Sequence, residues 1–399
     1  MERSEGNTDF DVIVVGAGIE GSATAYSLAK DQEKRTLLLE QFPLGHTRGS
    51  SHGGSRIAWH VRSVHETDDY NLLTKVAFTG WRALEKATNT QLFKKCGALC
   101  MQPRLKGGLE GKVALLNAVG APYEVLSNEQ VMDRYPGLSY GEDYVGLLDI
   151  NAGMLLANRC LSAFQSEFLA HGGVVRAEER VLKVVPGERI VVATQKATYA
   201  ADALVLCLGA WTNKFLATMP GRLQLPMDIL RVQPCFWEAT EPSLYDQSRF
   251  PTFIGQNKDG TVVYGLPIGE YPGLFKLAFH DGIACDPDRP SQTSVGDRLT
   301  KPVTEYIKRH FPKLKSQPAV VENCMYSTTP DHHFILDRHP TIPNVIIGAG
   351  FSGSGFRFAP AIGATLAAMA ANETPPCPTK PFEIERFNQK RDDHRQSKL

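Results

Sequence analysis

The chain has 399 residues, and its 43 Lys and Arg balance 43 Asp and Glu, so the formal net charge is zero. That balance argues against a nucleic-acid binder working through a global positive field. Hydrophobic residues make up 42% and charged residues 22%, which excludes wholesale disorder, and no apolar run approaches the ~18 residues of a membrane span.

The length exceeds what one hydrophobic core usually fills, so two domains are expected. Met1 to Phe10 is polar and acidic, without the cationic start and apolar run of a secretory signal. The first strong signal is Asp11 to Gly21, DVIVVGAGIEG. Val12 to Val15 is a β-branched run suited to a strand buried on both faces of a parallel sheet. Gly16, Gly18 and Gly21 form G-x-G-x-x-G, Ser22 to Lys30 reads as a helix, and Thr36 to Leu39 is a second apolar strand closed by Glu40. Strand, glycine turn, helix, strand and acid in this order make a dinucleotide site. Gly16 permits the tight turn, Gly18 lets a pyrophosphate approach N–H groups at the helix N-terminus, and Gly21 lets helix and strand pack closely. Glu40 can accept hydrogen bonds from a ribose hydroxyl. The motif alone does not separate NAD from FAD.

Next, SSHGGSR places His52 and Arg56 among glycines that allow backbone to approach a ligand; a solvated surface loop is the plainer alternative. Ala203 to Trp211 is an apolar strand ending in Gly-Ala, and Val345 to Gly355, VIIGAGFSGSG, is another strand running into glycines. Three strand-to-glycine junctions so far apart suit one sheet assembled from distant segments around an extended cofactor, which favours FAD. Between them, Gln233 to Glu238, Thr261 to Tyr264 and Leu274 to Phe279 read as antiparallel strands. Lys276 sits in GLFKLAFH, where an ammonium among apolar neighbours must find a partner or shift its pKa. Lys301 to His310 reads as a helix with Pro302 tolerable in its first turn. Pro360 to Ala371 reads as a helix followed by a proline-rich connector, and His332 and His333 mark a polar turn.

Eight cysteines (Cys96, Cys100, Cys160, Cys207, Cys235, Cys285, Cys324 and Cys377) lack a repeating spacing, which suits reduced thiols rather than a disulfide framework or zinc site. No His/Cys/Asp/Glu cluster has metal-ligand spacing. The last three residues, Ser397-Lys398-Leu399, match a receptor-read peroxisomal address.

Together, HTRGSSHGGSR (46–56), YGLPIGEYPGLFKLAFH (264–280), CMYSTTPDHHFILDRHP (324–340), GFSGSGFRF (350–358) and the opening glycine motif resemble the monomeric sarcosine oxidase family, in particular its peroxisomal branch. The likeness runs from about 10 to about 387. It implies an α/β fold: a Rossmann-like parallel-sheet FAD domain (1–90, 145–217, 321–399) and a discontinuous antiparallel-sheet substrate domain (91–144, 218–320). It implies a monomeric, peroxisomal FAD oxidase of secondary amino acids such as sarcosine or L-pipecolate, yielding an imine and hydrogen peroxide, with no nucleic acid, membrane or metal involved.

The resemblance also assigns roles. Cys324 carries a thioether to the flavin 8-methyl group, although on residues alone it is one small buried hydrophobe among eight. His52 and Arg56 stand near the flavin ring, Gly353 and Gly355 approach the cofactor, and Lys276 faces the ring where O₂ reacts. His280 helps position the amine, Tyr264 and Tyr326 line the substrate cavity, and Arg357 stands where relatives commonly have lysine and can grip a carboxylate with its planar fork. Trp59 departs from the pattern, because relatives commonly carry arginine there; one carboxylate clamp is lost and a bulky ring is gained. That puts a simple sarcosine preference in doubt. A flavin dehydrogenase with another electron acceptor, or a flavin-binding protein without turnover, are the competing readings.

Overall fold

The computed structural model describes residues 8–60, 69–105 and 108–388; the Ser397-Lys398-Leu399 tail lies outside them. The first sheet has eight strands. β1 (Asp9–Val15) lies between β2 (Thr36–Leu39) and the long strand Thr198–Leu206, parallel to both, and Ile342–Ala349 extends the parallel set from the far side of Thr198–Leu206. Strands 181–185 and 190–194 add an antiparallel ribbon.

Alternation along β1 accounts for its burial on both faces. Val12 and Val14 join the core formed with helices α1 (Ile19–Lys30), Ala157–Ala170 and Ala359–Ala370, whereas Ile13 and Val15 join the opposite core with Leu37, Leu39 and Val184. Helix α1 begins three residues earlier than Ser22, because Gly18 already serves as its N-cap and the last glycine of the motif lies inside its first turn. The expected strand Ala203 to Trp211 ends at Leu206, since Gly209 takes a positive φ of 51° and Gly209–Trp211 coils into a single 3₁₀ turn.

The second sheet also has eight strands, in the order 314–321, 235–239, 274–279, 262–266, 252–256, 98–103, 144–149, 123–127. All its pairs are antiparallel except 252–256 with 98–103. Tyr144–Asp149 pairs with both Ala98–Pro103 and Tyr123–Ser127, so a division of the chain at 145 cuts this strand from the sheet that its hydrogen bonds assign it to. One face carries Val263, Phe275, Leu277 and Trp237 into a core under the helix Lys301–His310. The other face presents Ile254, Val262, Tyr264, Leu266 and Lys276 to a cleft shared with the first sheet.

Two three-stranded sheets bridge the large ones. β3 (Ser55–Ala58) pairs with Gly153–Leu156, which also pairs with Phe93–Lys95. Cys324–Thr328 pairs with Asp228–Val232, setting Cys324 opposite Val232 and Tyr326 opposite Leu230. All eight cysteines are unbridged. Among the described residues no helix is long and apolar enough to cross a membrane, and no group of three metal-binding side chains converges.

Candidate active site

One cavity of about 400 Å³ runs from the turn after β1 to the second sheet. Gly16, Gly18, Glu40, His52, Arg56, Tyr264, Lys276, His280, Cys324, Tyr326, Gly353, Gly355 and Arg357 all line it. Gly21 alone of the expected site residues does not; a Cβ there would lie 1.8 Å from the Gly16 carbonyl oxygen, so it acts through helix–strand packing.

At the first end, Gly16 has φ of +101°, and a Cβ on it would fall 2.3 Å from the Cys207 carbonyl oxygen. The turn it makes delivers the N-terminus of α1, whose Gly18 cap has no side-chain hydrogen bond. Glu40 is buried, and its carboxylate accepts from Ala17 N at 2.9 Å and Phe42 N at 3.0 Å, which locks the acid beside the turn. Ser51 Oγ accepts from Ile19 N at 3.0 Å and pins the 50–56 loop to the helix start.

That loop is held from within by Arg56, whose guanidinium donates to the carbonyls of Ser55 (2.8 Å), Ser50 (2.9 Å) and His52 (2.5 Å). Burial, and then the Arg56 charge, lower the His52 pKa, so its imidazole is held neutral. His52 Nε2 and Trp59 Nε1 are buried beside the cavity without a hydrogen-bond partner among the described residues. Such orphaned groups ask for a polar occupant. Glycine turn, uncapped helix, acid and orphaned donors together fit the pyrophosphate, ribose and ring of FAD.

Cys324 Sγ lies 4.0 Å from the Ser50 carbonyl oxygen, and Ser50 Oγ donates to the Met325 carbonyl at 2.7 Å, so the cysteine strand and the loop are stitched together. Burial raises the Cys324 thiol pKa, with Arg56 opposing.

At the second end, strand alternation turns Lys276 into the cleft while Phe275 and Leu277 enter the core. Lys276 is 5% exposed. Its Nζ donates to Glu270 Oε1 at 2.9 Å and sits 5.3 Å from the Phe236 ring centroid. Burial lowers its pKa and Glu270 opposes that shift. Tyr326 Oη is 3.4 Å from His280 Nδ1, and the Tyr264 ring stands edge-on to His280 at 5.8 Å. Burial pushes the Tyr326 phenol up to about 12 and the Tyr264 phenol well above its usual value, so both hydroxyls stay protonated donors.

Arg357 is 9% exposed, in the turn between Ile342–Ala349 and the last long helix, and its guanidinium donates to the Trp59 carbonyl at 3.0 Å. Trp59 itself is 1% exposed and packs with Ile254, Cys100 and Leu147. Trp59 thus holds Arg357 by its backbone carbonyl and is itself among the residues lining the cavity.

Two acids escaped the sequence reading. Glu270 is a contact of Lys276, visible only as a polar residue in the turn GEYPG. Glu20 lies in the first turn of α1, where burial pushes its carboxyl up to about 7 against the Arg56 charge; the x positions of a glycine motif carry no signal that finds it.

The family model for FAD dependent oxidoreductases matches residues 11–369. The chain is 40% identical over 383 residues to the human peroxisomal sarcosine oxidase, covering 95% of this chain and 96% of that protein. It is 33% identical over 372 residues to the monomeric sarcosine oxidase of Bacillus sp. (strain NS-129), covering 91% and 93%. In fold it is similar to L-proline dehydrogenase from P. horikoshii, with a TM-score of 0.81 at 19% identity over 96% of this chain and 99% of that one. NikD, an amino acid oxidase of nikkomycin biosynthesis, gives a TM-score of 0.79 at 23% identity over 95% and 98%.

Proposed function

The chain belongs to the FAD-dependent oxidoreductase family, and from that premise we propose that it oxidises secondary amino acids, N-methylated or cyclic, with O₂ as acceptor. It is a flavoprotein oxidase of CH–NH donors, and sarcosine and L-pipecolate are the substrate types that the resemblance favours. The observation that carries this reading is the meeting of Arg357, Lys276 and the Tyr264–His280–Tyr326 group in the same cavity as the glycine turn and Cys324.

Arg357 grips the substrate carboxylate. A buried guanidinium fixed on one side by the Trp59 carbonyl is already oriented, so little ordering is lost on binding. The Trp59, Tyr264 and Tyr326 rings supply the apolar wall and exclude water. A ring-shaped amine such as L-pipecolate buries more area against that wall than sarcosine does, which favours the cyclic substrate. His280 and Tyr326 orient the amine nitrogen, which reacts unprotonated. The amine gives up two electrons and two hydrogens and leaves as an imine. Bound FAD would supply the two-electron acceptor and the route by which those electrons reach O₂ as hydrogen peroxide. Lys276 would present positive charge where negative charge develops on oxygen, and Arg56 would do the same beside the cofactor's ring. Cys324, beside the 50–56 loop and with Arg56 opposing the burial that raises its thiol pKa, is the residue that would tether the cofactor. The peroxisomal label of the human and mouse relatives supports that compartment, where peroxide is handled.

The test is oxygen uptake and peroxide release with sarcosine, L-pipecolate and L-proline. Turnover of at least one is expected, with L-pipecolate ahead of sarcosine; no turnover of any contradicts the reading. For the tether, Cys324→Ala is expected to release its flavin on acid precipitation. Flavin that stays with the precipitated variant moves the attachment elsewhere.

A further inference from the structure

Lys276 has a partner, Glu270, that is not among the residues lining the cavity. Glu270 lies in the turn between Val262–Leu266 and Leu274–Phe279. Its Oε1 accepts from Lys276 Nζ at 2.9 Å and also from Ser55 Oγ, and its Oε2 accepts from Gly54 N at 2.8 Å. One carboxylate therefore joins the lysine strand to the loop that carries His52 and Arg56, more than 200 residues away in sequence. The approach is close: a Cβ on Gly54 would lie 2.5 Å from Glu270 Cγ. Burial alone would raise the Glu270 pKa, but the Lys276 charge and the hydrogen bonds from Ser55, Lys276 and Gly54 outweigh it and leave the carboxyl below its usual value.

We propose that Glu270 is the positioning residue of Lys276, holding it as a charged ammonium aimed into the cleft, so that reduction of O₂ depends on a carboxylate that touches neither flavin nor substrate. The proposal rests on the role given to Lys276 above. A buried ammonium without a counter-ion gives up its proton to escape the desolvation cost. The charges facing Lys276 do not replace Glu270. Arg56, on β3, disfavours the charged lysine, as would His52 if it were protonated. Cys324 carries no charge, either as a thiol whose pKa burial raises or as a thioether. Glu322, the other acid facing it, favours the charged lysine less strongly than Glu270 does and makes no ion pair with it. Removing the Glu270 charge therefore moves the lysine's loss of its proton to lower pH, and the reaction with O₂ fades with it.

The experiment uses the flavin-loaded enzyme as wild type, Glu270→Gln, Lys276→Met and the double variant. Each is reduced without oxygen and then mixed with O₂ across a range of pH, and the midpoint potential of the bound flavin is measured over the same range. Glu270→Gln is expected to slow reoxidation at least tenfold at mildly alkaline pH and to move the alkaline edge of the rate profile down. Its midpoint potential is expected to acquire a step at the pH where the lysine loses its charge, below that of the wild type. In the Lys276→Met background the Glu270 change is expected to add nothing, the coupling of two residues acting as one unit. An unshifted profile, or an equal slowing with and without Lys276, overturns the proposal. If Lys276→Met itself leaves reoxidation unchanged, the role of the lysine falls first, and the two failures are thereby distinguished. Should Glu270→Gln not fold, Ser55→Ala removes one anchor of the carboxylate and is expected to slow reoxidation roughly threefold with the same direction of pH shift; no shift overturns the proposal.

Discussion

Replacing Gly16 with alanine tests the turn on which the cofactor site is built. The φ of +101° lies outside what L side chains tolerate, and the new methyl would meet the Cys207 carbonyl oxygen at 2.3 Å and its carbon at 2.9 Å. Those atoms are backbone of the segment leaving the neighbouring strand Thr198–Leu206, which cannot turn aside as a side chain would. Strained dihedrals cost about 1–3 kcal/mol, and overfilling a packed site a similar amount. The sum is about 2–6 kcal/mol, a large share of the 5–15 kcal/mol that typically holds a domain together. At about 2.1 cal/mol/K of unfolding entropy per residue, a 399-residue chain should lose about 2–7 °C of melting temperature. Gly120→Ala is the control. Gly120 also has positive φ, +71°, but nothing lies within 4 Å of its missing Cβ, so only a dihedral cost of about 1 kcal/mol remains. The assay is thermal denaturation with flavin content per chain. Gly16→Ala is expected to lose both stability and flavin, and Gly120→Ala to lose little of either. A Gly16 variant that melts with the control and carries full flavin would refute the argument.

Arg357→Ala removes a charge-assisted contact of about 1.5–3 kcal/mol, so kcat/KM should fall roughly 10- to 150-fold, carried mostly by KM; steady-state kinetics with an unchanged KM would place the carboxylate elsewhere. Glu20 has a folded pKa of about 7 against an ordinary 4.5. Over that window the folded protein holds more protons than the unfolded chain, so stability of the flavin-free protein declines as pH rises, by up to about 1.4 kcal/mol per unit. Glu20→Gln is expected to flatten that decline in urea unfolding followed across the window, and an unchanged slope would remove Glu20 as its source.

The cofactor end was the more legible part in sequence, because its signals are local. The β-branched run, the glycine spacing and Glu40 fall within thirty residues, and each obeys a rule of short-range geometry. The second sheet could be read only strand by strand: alternation in GLFKLAFH aims Lys276 away from Phe275 and Leu277, but nothing local says what it meets there. Glu270 was missed because its contacts with Gly54 and Ser55 join segments far apart in sequence. Residues 145–149 fall in the expected FAD segment 145–217 although they pair in the second sheet, since an apolar strand does not announce its partners. Trp59 was noticed as a departure, yet its backbone grip on Arg357 appears only in three dimensions.

The most direct measurement mixes the purified flavin-loaded protein with L-pipecolate or sarcosine in the absence of oxygen and follows the visible absorbance. The account predicts bleaching by at least one amine, and return of the colour with release of hydrogen peroxide when O₂ is admitted. A protein that purifies without flavin and takes up none, or whose colour persists against every secondary amino acid offered, would contradict it.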